Sequence, residues 1–240
     1  MNRRAWVEQI MGMPISIHLR GPDLDAPQVE AAVASAYAWL REVDRLFSTY
    51  RADSEISRIR SGELDVADAD PLVWQVVALC HHAEEETGGT FTARLPDADG
   101  RVRFDPTGLV KGWAVEQAAT HLAALTDHAY CLNAGGDVSV GGSTAVLEGT
   151  PWRVGIEDPR DRSSIARVVE LAAGGVATSG TAARGAHLYD PTRRAYVDRS
   201  GSVSVVGPSV LWADVWATAL YVGPPELTDR LPAGYEVVRL

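Results

Sequence analysis

The sequence predicts an α+β fold, helix-rich in its first half and sheet-rich in its second, and two observations carry that prediction. Long runs with apolar residues at helical spacing fill the chain up to about residue 122. From Tyr130 onward, short β-type runs alternate with turn residues. Neither an internal repeat nor a long linker divides the chain, so residues 1–240 read as one unit.

Ile15 to Leu19 forms the first expected strand, with a turn over Gly21 to Pro27. Val29, Val33, Ala36, Tyr37, Leu40, Val43 and Phe47 repeat at helical spacing and predict a long amphipathic helix over 28–47. Asp53-Ser54-Glu55 reads as the start of a short helix. Pro71 opens another, with Leu72, Val76, Leu79, Cys80 and Ala83 on one face, ending near Thr87-Gly88-Gly89. After the loop PDADGR, Pro106 and Gly108 predict a tight loop, and a third long helix is expected to begin near Lys111 and Gly112. Strands are expected at Tyr130–Leu132, Val138–Val140, Trp152–Ile156, Val168–Leu171, Val176–Thr178 and Ser202–Val206. A final helix over about Leu211–Tyr221 and a last strand over Tyr235–Leu240 complete the reading.

Composition narrows the function classes. Hydrophobic residues make up 46% and charged residues 22% of the 240, ordinary for a folded globular chain. The formal net charge of −10 repels a phosphate backbone, which argues against nucleic acid as a partner. An anionic substrate would need local compensation by a metal ion, backbone N–H groups or placed cations. Cys80 and Cys131 have no metal-binding or redox spacing. No apolar run approaches the roughly 20 residues of a membrane span, and the N-terminus lacks a signal-peptide pattern, so a cytoplasmic location is expected.

Four segments carry chemistry beyond scaffold needs. In FDPTGLVKGWAVEQ, Lys111 beside an expected helix start is either an anion seat or an ordinary turn. In LNAGGDVSVGG, Gly135-Gly136 before Asp137 permits close backbone approach to a ligand, or simply closes a hairpin. In VATSGTAARGAHLYDP, His187 can act as a base near neutral pH or serve as a structural hydrogen-bonder. Ser179 there lacks the G-x-S-x-G context of a hydrolase nucleophile. In LWADVWATALYVG, Asp214 and Thr218 lie four apart, so both oxygens project from one face of an almost wholly apolar helix. Such an Asp needs a partner or a cation, and a carboxylate with a hydroxyl suits Mg²⁺; a buried hydrogen bond is the plainer alternative.

Taken in order, MGMPISIHL, FSTYRADSEISRI, TGGTF, FDPTGLVKGWAVEQAATHL, NAGGDVSVGG, WRVGIEDP, ATSGTAARGAHLYDP and VVGPSVLWADVWATALYVG make the chain resemble the ApbE family, the FAD:protein FMN transferases. The resemblance covers nearly the whole chain. It implies a nucleotide cleft between the two halves, with FAD bound there and Mg²⁺ at its pyrophosphate. It further implies metal ligation by Asp214, Thr218 and the Val110 carbonyl in a loop before Lys111, with His187 helping to deprotonate the attacking hydroxyl. Met11, Gly12, Lys111, Asn133, Gly135, Gly136, Asp137, Ser179, Gly180 and His187 would contact the flavin nucleotide, with His187, Asp214 and Lys111 serving catalysis. The implied reaction moves FMN from FAD to a Ser or Thr hydroxyl of an acceptor flavoprotein and releases AMP. An FAD pyrophosphatase and a non-catalytic FAD-binding protein are the competing readings. The sequence departs from the family pattern at Met13, at Arg60, at Arg193-Arg194 and in a trimmed stretch between TGGTF and FDPTG.

Overall fold

The computed structural model describes residues 2–97, 99–182, 185 and 187–240. A central antiparallel sheet organises the chain. Its strands are β1 (Arg3–Ile10), β2 (Met13–Arg20), β5 (Ala129–Ala134), β6 (Asp137–Gly142), β9 (Gly174–Gly180), β12 (Ser202–Gly207) and β13 (Glu236–Arg239), in the spatial order β1-β2-β5-β6-β9-β12-β13. Three two-stranded ribbons lie outside it: β3 (Arg94–Pro96) with β4 (Val102–Phe104), β7 (Trp152–Asp158) with β8 (Asp161–Leu171), and β10 (Leu188–Asp190) with β11 (Ala195–Val197). The helices are α1 (Pro27–Phe47), α2 (Glu55–Ser61), α3 (Pro71–Glu86), α4 (Thr107–Ala123), the single turn α5 (Thr144–Leu147) and α6 (Val210–Val222).

The helices α1, α4 and α6 cover one face of the sheet. Helix α1 forms because Pro27 opens it and its apolar residues recur on one side. It buries Val29, Val33, Ala36, Tyr37, Leu40, Val43, Leu46 and Phe47, each larger side chain stabilising the fold by about 1.5–3 kcal/mol. Helix α6 is apolar on every side apart from Asp214 and Thr218, as expected of a helix enclosed by protein. It lies between α4 and strands β9 and β12. Alternation in the strands sends Ile15, Ile17, Leu19, Leu132 and Ala177 toward these helices. Val138, Val140, Val176 and Val206 point the other way, where the β7–β8 ribbon and α5 cover them with Trp152, Val154 and Leu147.

Several elements differ from the sequence expectation. Strand β1 precedes the expected first strand and pairs with β2 along its whole length, from Arg3↔Arg20 to Ile10↔Met13. Its charged residues hid it, and they are satisfied locally: Arg4 pairs with Asp25 and Glu30, and Glu8 with Arg41. The helix expected near Lys111 begins at Thr107, so Lys111 sits inside it instead of at its start. Asp105 Oδ1 accepts from the Thr107 N–H and hydroxyl, and the Pro106 carbonyl accepts from the Leu109 and Val110 N–H groups, which together start the helix early. Gly108 serves packing instead of a turn, since a Cβ there would lie 3.3 Å from the Phe91 ring. Ribbons β3–β4 and β10–β11 are additional. Arg60 at the end of α2 is tied to Asp105 by a 2.9 Å ion pair just ahead of α4.

Candidate active site

The most unusual cluster lies between the sheet and its helices. Lys111 projects from α4, and its Nζ lies 2.6 Å from Asp137 Oδ2 and 3.7 Å from Asp214 Oδ1. Asp137 is the first residue of β6 and shares no exposed surface, while Asp214 on α6 is 3% exposed. Two carboxylates thus share one ammonium in a desolvated place, an arrangement that destabilises the protein unless something further compensates it. Asp214 Oδ2 and Asp137 Oδ1 have no hydrogen-bond partner among the described residues. Burial first, and then the neighbouring Asp137 charge, push the Asp214 carboxyl well above the usual range, against the opposing pull of Lys111.

Local sequence explains this convergence. Gly112 has no side chain to separate α4 from α6: a Cβ there would lie 3.0 Å from Asp214 Cβ and 3.1 Å from Leu211 Cα. One turn beyond Asp214, Thr218 Oγ1 lies 3.0 Å from Ser179 Oγ at the end of β9. Carboxylate and hydroxyl therefore face the sheet together, as their spacing of four predicts.

The backbone around the cluster is shaped by two tight turns at one end of the sheet. Gly135-Gly136 closes the β5–β6 hairpin between Ala134 and Asp137, with φ of 60° and 99°. Such a turn needs left-handed backbone at both positions, and glycine adopts it without strain. Asn133 Oδ1 accepts from the Gly136 N–H at 3.1 Å, so its side chain braces the turn. Met11-Gly12 closes the β1–β2 hairpin in the same left-handed conformation, φ 56° and 72°. The turns touch across β2 and β5, because a Cβ at Gly135 would lie 2.8 Å from Met13 Sδ. The ladder between β6 and β9 stops at Val138↔Val176, whereas β9 stays paired with β12 to Gly180↔Ser202. Ala177 to Gly180 therefore extend past the β5–β6 turn beside Asp137.

The structure brings Lys111, Asp137 and Asp214 together, and places the Ser179–Thr218 hydroxyl pair one helical turn along. Val110 lies inside α4 and is buried, not in a preceding loop as expected. His187 is exposed, and its Nδ1 donates to the Gly185 carbonyl at 2.8 Å, which in the neutral ring leaves the lone pair on Nε2. Residues 183, 184 and 186 of that segment lie outside the described residues. Sequence reading missed Glu116, whose carboxylate reaches from α4 to the start of α6 at Ser209 and Leu211. As a lone acidic residue beside Gln117 in a helix, it gives no sequence hint of that contact. A separate cavity of ≈330 Å³ lies between α3 and the β3–β4 ribbon, lined in part by Val77, Cys80, Arg94 and Phe104, and does not reach the cluster.

Among the described residues no group of three or more His, Cys, Asp or Glu is placed to hold a metal. The donor set nonetheless fits Mg²⁺, which takes one or two protein oxygens and completes its shell with water and substrate phosphates. The orphaned, buried Asp214 Oδ2 and the Thr218 hydroxyl on the same helix face are hard oxygen donors, and the excess negative charge of the carboxylate pair favours a cation. Among the described residues no helix is long and apolar enough to cross a membrane.

Comparison with known proteins agrees with this architecture. The FAD:protein FMN transferase of Klebsiella pneumoniae is 35% identical over 266 residues, covering 87% of this chain and 75% of that protein. The FAD:protein FMN transferase of Vibrio cholerae is 26% identical over 278 residues, covering 86% and 81%. Among solved structures, the ApbE protein of Thermotoga maritima superposes with a TM-score of 0.81 at 19% identity, over 99% of this chain and 94% of that one. The flavin transferase ApbE of Vibrio cholerae does so with a TM-score of 0.76 at 22% identity, over 99% and 97%. The ApbE family model matches residues 11–97 and 92–237, a span that contains both hairpin turns, the buried carboxylates and the α4–α6 contact, and the chain belongs to the ApbE family.

Proposed function

We propose that this chain, acting as one unit over residues 1–240, is an Mg²⁺-dependent transferase that moves the FMN half of FAD onto a Ser or Thr hydroxyl of an acceptor flavoprotein. The observation that carries the reading is the buried Lys111–Asp137–Asp214 cluster, with its unpartnered carboxylate oxygens, in a chain of this family. A site that keeps excess buried carboxylate where apolar packing would be more stable is suited to a cation-dependent reaction.

Asp214, Thr218 and the Val110 carbonyl would hold Mg²⁺. When bound, Mg²⁺ would offset negative charge on the pyrophosphate oxygens, the main electrostatic demand of phosphoryl transfer. Lys111 holds the Asp137 carboxylate and adds positive charge facing the phosphates. Met11, Gly12, Asn133, Gly135, Gly136, Asp137, Ser179 and Gly180 would line the flavin nucleotide, the glycines letting the main chain approach it closely. His187 Nε2 accepts the proton of the attacking hydroxyl. The hydroxyl oxygen forms a bond to the FMN phosphorus, the bond from that phosphorus to the bridging oxygen breaks, and AMP departs with the bridging oxygen.

The test is to incubate the protein with FAD and Mg²⁺, with and without an FMN-binding acceptor domain, and to follow AMP release and acceptor mass. FMN-labelled acceptor with matching AMP is the expected result. Free FMN without labelled acceptor would replace this reading with pyrophosphatase chemistry, and tight FAD binding without either product would replace it with a carrier.

A further inference from the structure

Asp214 and Thr218 reach the cluster only if α6 starts at the right height and rotation, and that start is held by a side chain from another helix. Glu116 Oε2 on α4 accepts from the Ser209 hydroxyl and, at 3.3 Å, from the Leu211 N–H. Ser209 Oγ in turn accepts from the Trp212 N–H at 3.3 Å as the N-cap of α6. The first N–H groups of a helix have no intrahelical partners, and here two of them are satisfied by a relay anchored on α4. A carboxylate is also the favoured charge at this end of a helix.

The relay is matched to a second contact one turn away. Gly112 and Glu116 are four apart on α4 and face the same partner: Gly112 meets Leu211 and Asp214, and Glu116 meets Ser209 and Leu211. Two contacts a turn apart fix both the translation and the rotation of α6 against α4. The Tyr235 ring packs against the end of β12 just before this turn, where a Cβ on Gly207 would lie 2.0 Å from its Cδ1.

We propose that Glu116 is a positioning residue for metal-dependent transfer, setting Asp214 and Thr218 against Lys111, Asp137 and Ser179 by clamping the first turn of α6. The proposal rests on the functional reading above.

Its test compares the intact protein with Glu116→Ala, Glu116→Gln and Ser209→Ala. Outer-shell partners that orient metal ligands typically change affinity or activity by 10–100-fold, so Glu116→Ala should raise the Mg²⁺ concentration for half-maximal FMN transfer by about tenfold or more. Glu116→Gln keeps an oxygen able to accept both bonds and should stay within about threefold of the parent. Ser209→Ala keeps the bond to Leu211 and should fall between. Hydrogen exchange gives a readout independent of activity: the Leu211 and Trp212 amides should exchange at least about tenfold faster in Glu116→Ala and not in Glu116→Gln. An unchanged Mg²⁺ requirement in a folded Glu116→Ala, with only thermal stability lowered, would overturn the proposal and leave a plain helix cap. If Glu116→Ala does not fold, a Ser209→Ala protein with parental Mg²⁺ dependence and parental exchange overturns it equally. A parent enzyme that transfers FMN without any divalent cation would sink the functional reading instead, and with it the catalytic part of this proposal, while the exchange comparison still decides whether Glu116 clamps α6.

Discussion

The two faces of the central sheet are built to different rules. The face under the β7–β8 ribbon buries Ala129, Val138, Val140, Val176 and Val206, and its cross-strand polar contact is the neutral Thr178–Ser204 hydroxyl pair. The face under the helices has the larger apolar core, yet it encloses Asp137, Asp214 and the Lys111 ammonium. Neighbouring residues of one strand make the contrast sharp, since Asp137 and Val138 point to opposite sides of β6. On the ribbon face burial serves stability, while on the helix face the apolar packing is interrupted by a charge cluster whose burial costs stability.

The contrast can be tested from both sides. The largest effect is expected from Asp214→Asn: FMN transfer should fall by at least about 100-fold, with the melting temperature unchanged or higher, because a buried carboxylate is replaced by a neutral isostere. A large drop in melting temperature would show that the charge supports the fold. His187→Ala should slow transfer by about 100-fold while the Kd for FAD stays within about twofold, as measured by flavin fluorescence. Parallel losses of rate and affinity would make His187 a binding residue. Val140→Ala, on the ribbon face, should reverse the pattern, costing about 2 kcal/mol in denaturant unfolding with kcat/KM intact well below the transition.

Much of this was legible in the sequence, and the exceptions have physical causes. The spacing of Val29 to Phe47 is enough to predict α1, and Asp214 and Thr218 share a face on spacing alone. Strand β1 was not legible, because its alternation is filled by Arg4 and Glu8, whose partners lie on α1 and the preceding turn. The start of α4 was misplaced because Pro106 and Gly108 read as turn residues, while Gly108 lies inside the helix and lets Phe91 come close. The meeting of Lys111, Asp137 and Asp214 joins residues far apart in the chain and needs the sheet order to appear. Glu116 is invisible for the same reason.

The smallest expected effect concerns the cysteines. Burial pushes the Cys80 thiol up to about 12 and the Cys131 thiol to about 11. Because the thiolate is the reacting species, both should resist alkylation in the native protein at neutral pH, with Cys131 modified first. Labelling of Cys80 before Cys131 would show that the α3 side opens more readily than the sheet.

The contact between the two hairpin turns has an evolutionary consequence. Met13 Sδ fills the space that a side chain at position 135 would need, and the backbone there is left-handed, so only Gly, or Asn at some strain, suits it. A Gly135→Asn change should therefore cost more beside Met13, whose flexible side chain must shift, than after Met13→Ser, making the two positions epistatic: a substitution on the first hairpin changes the cost of a substitution on the second.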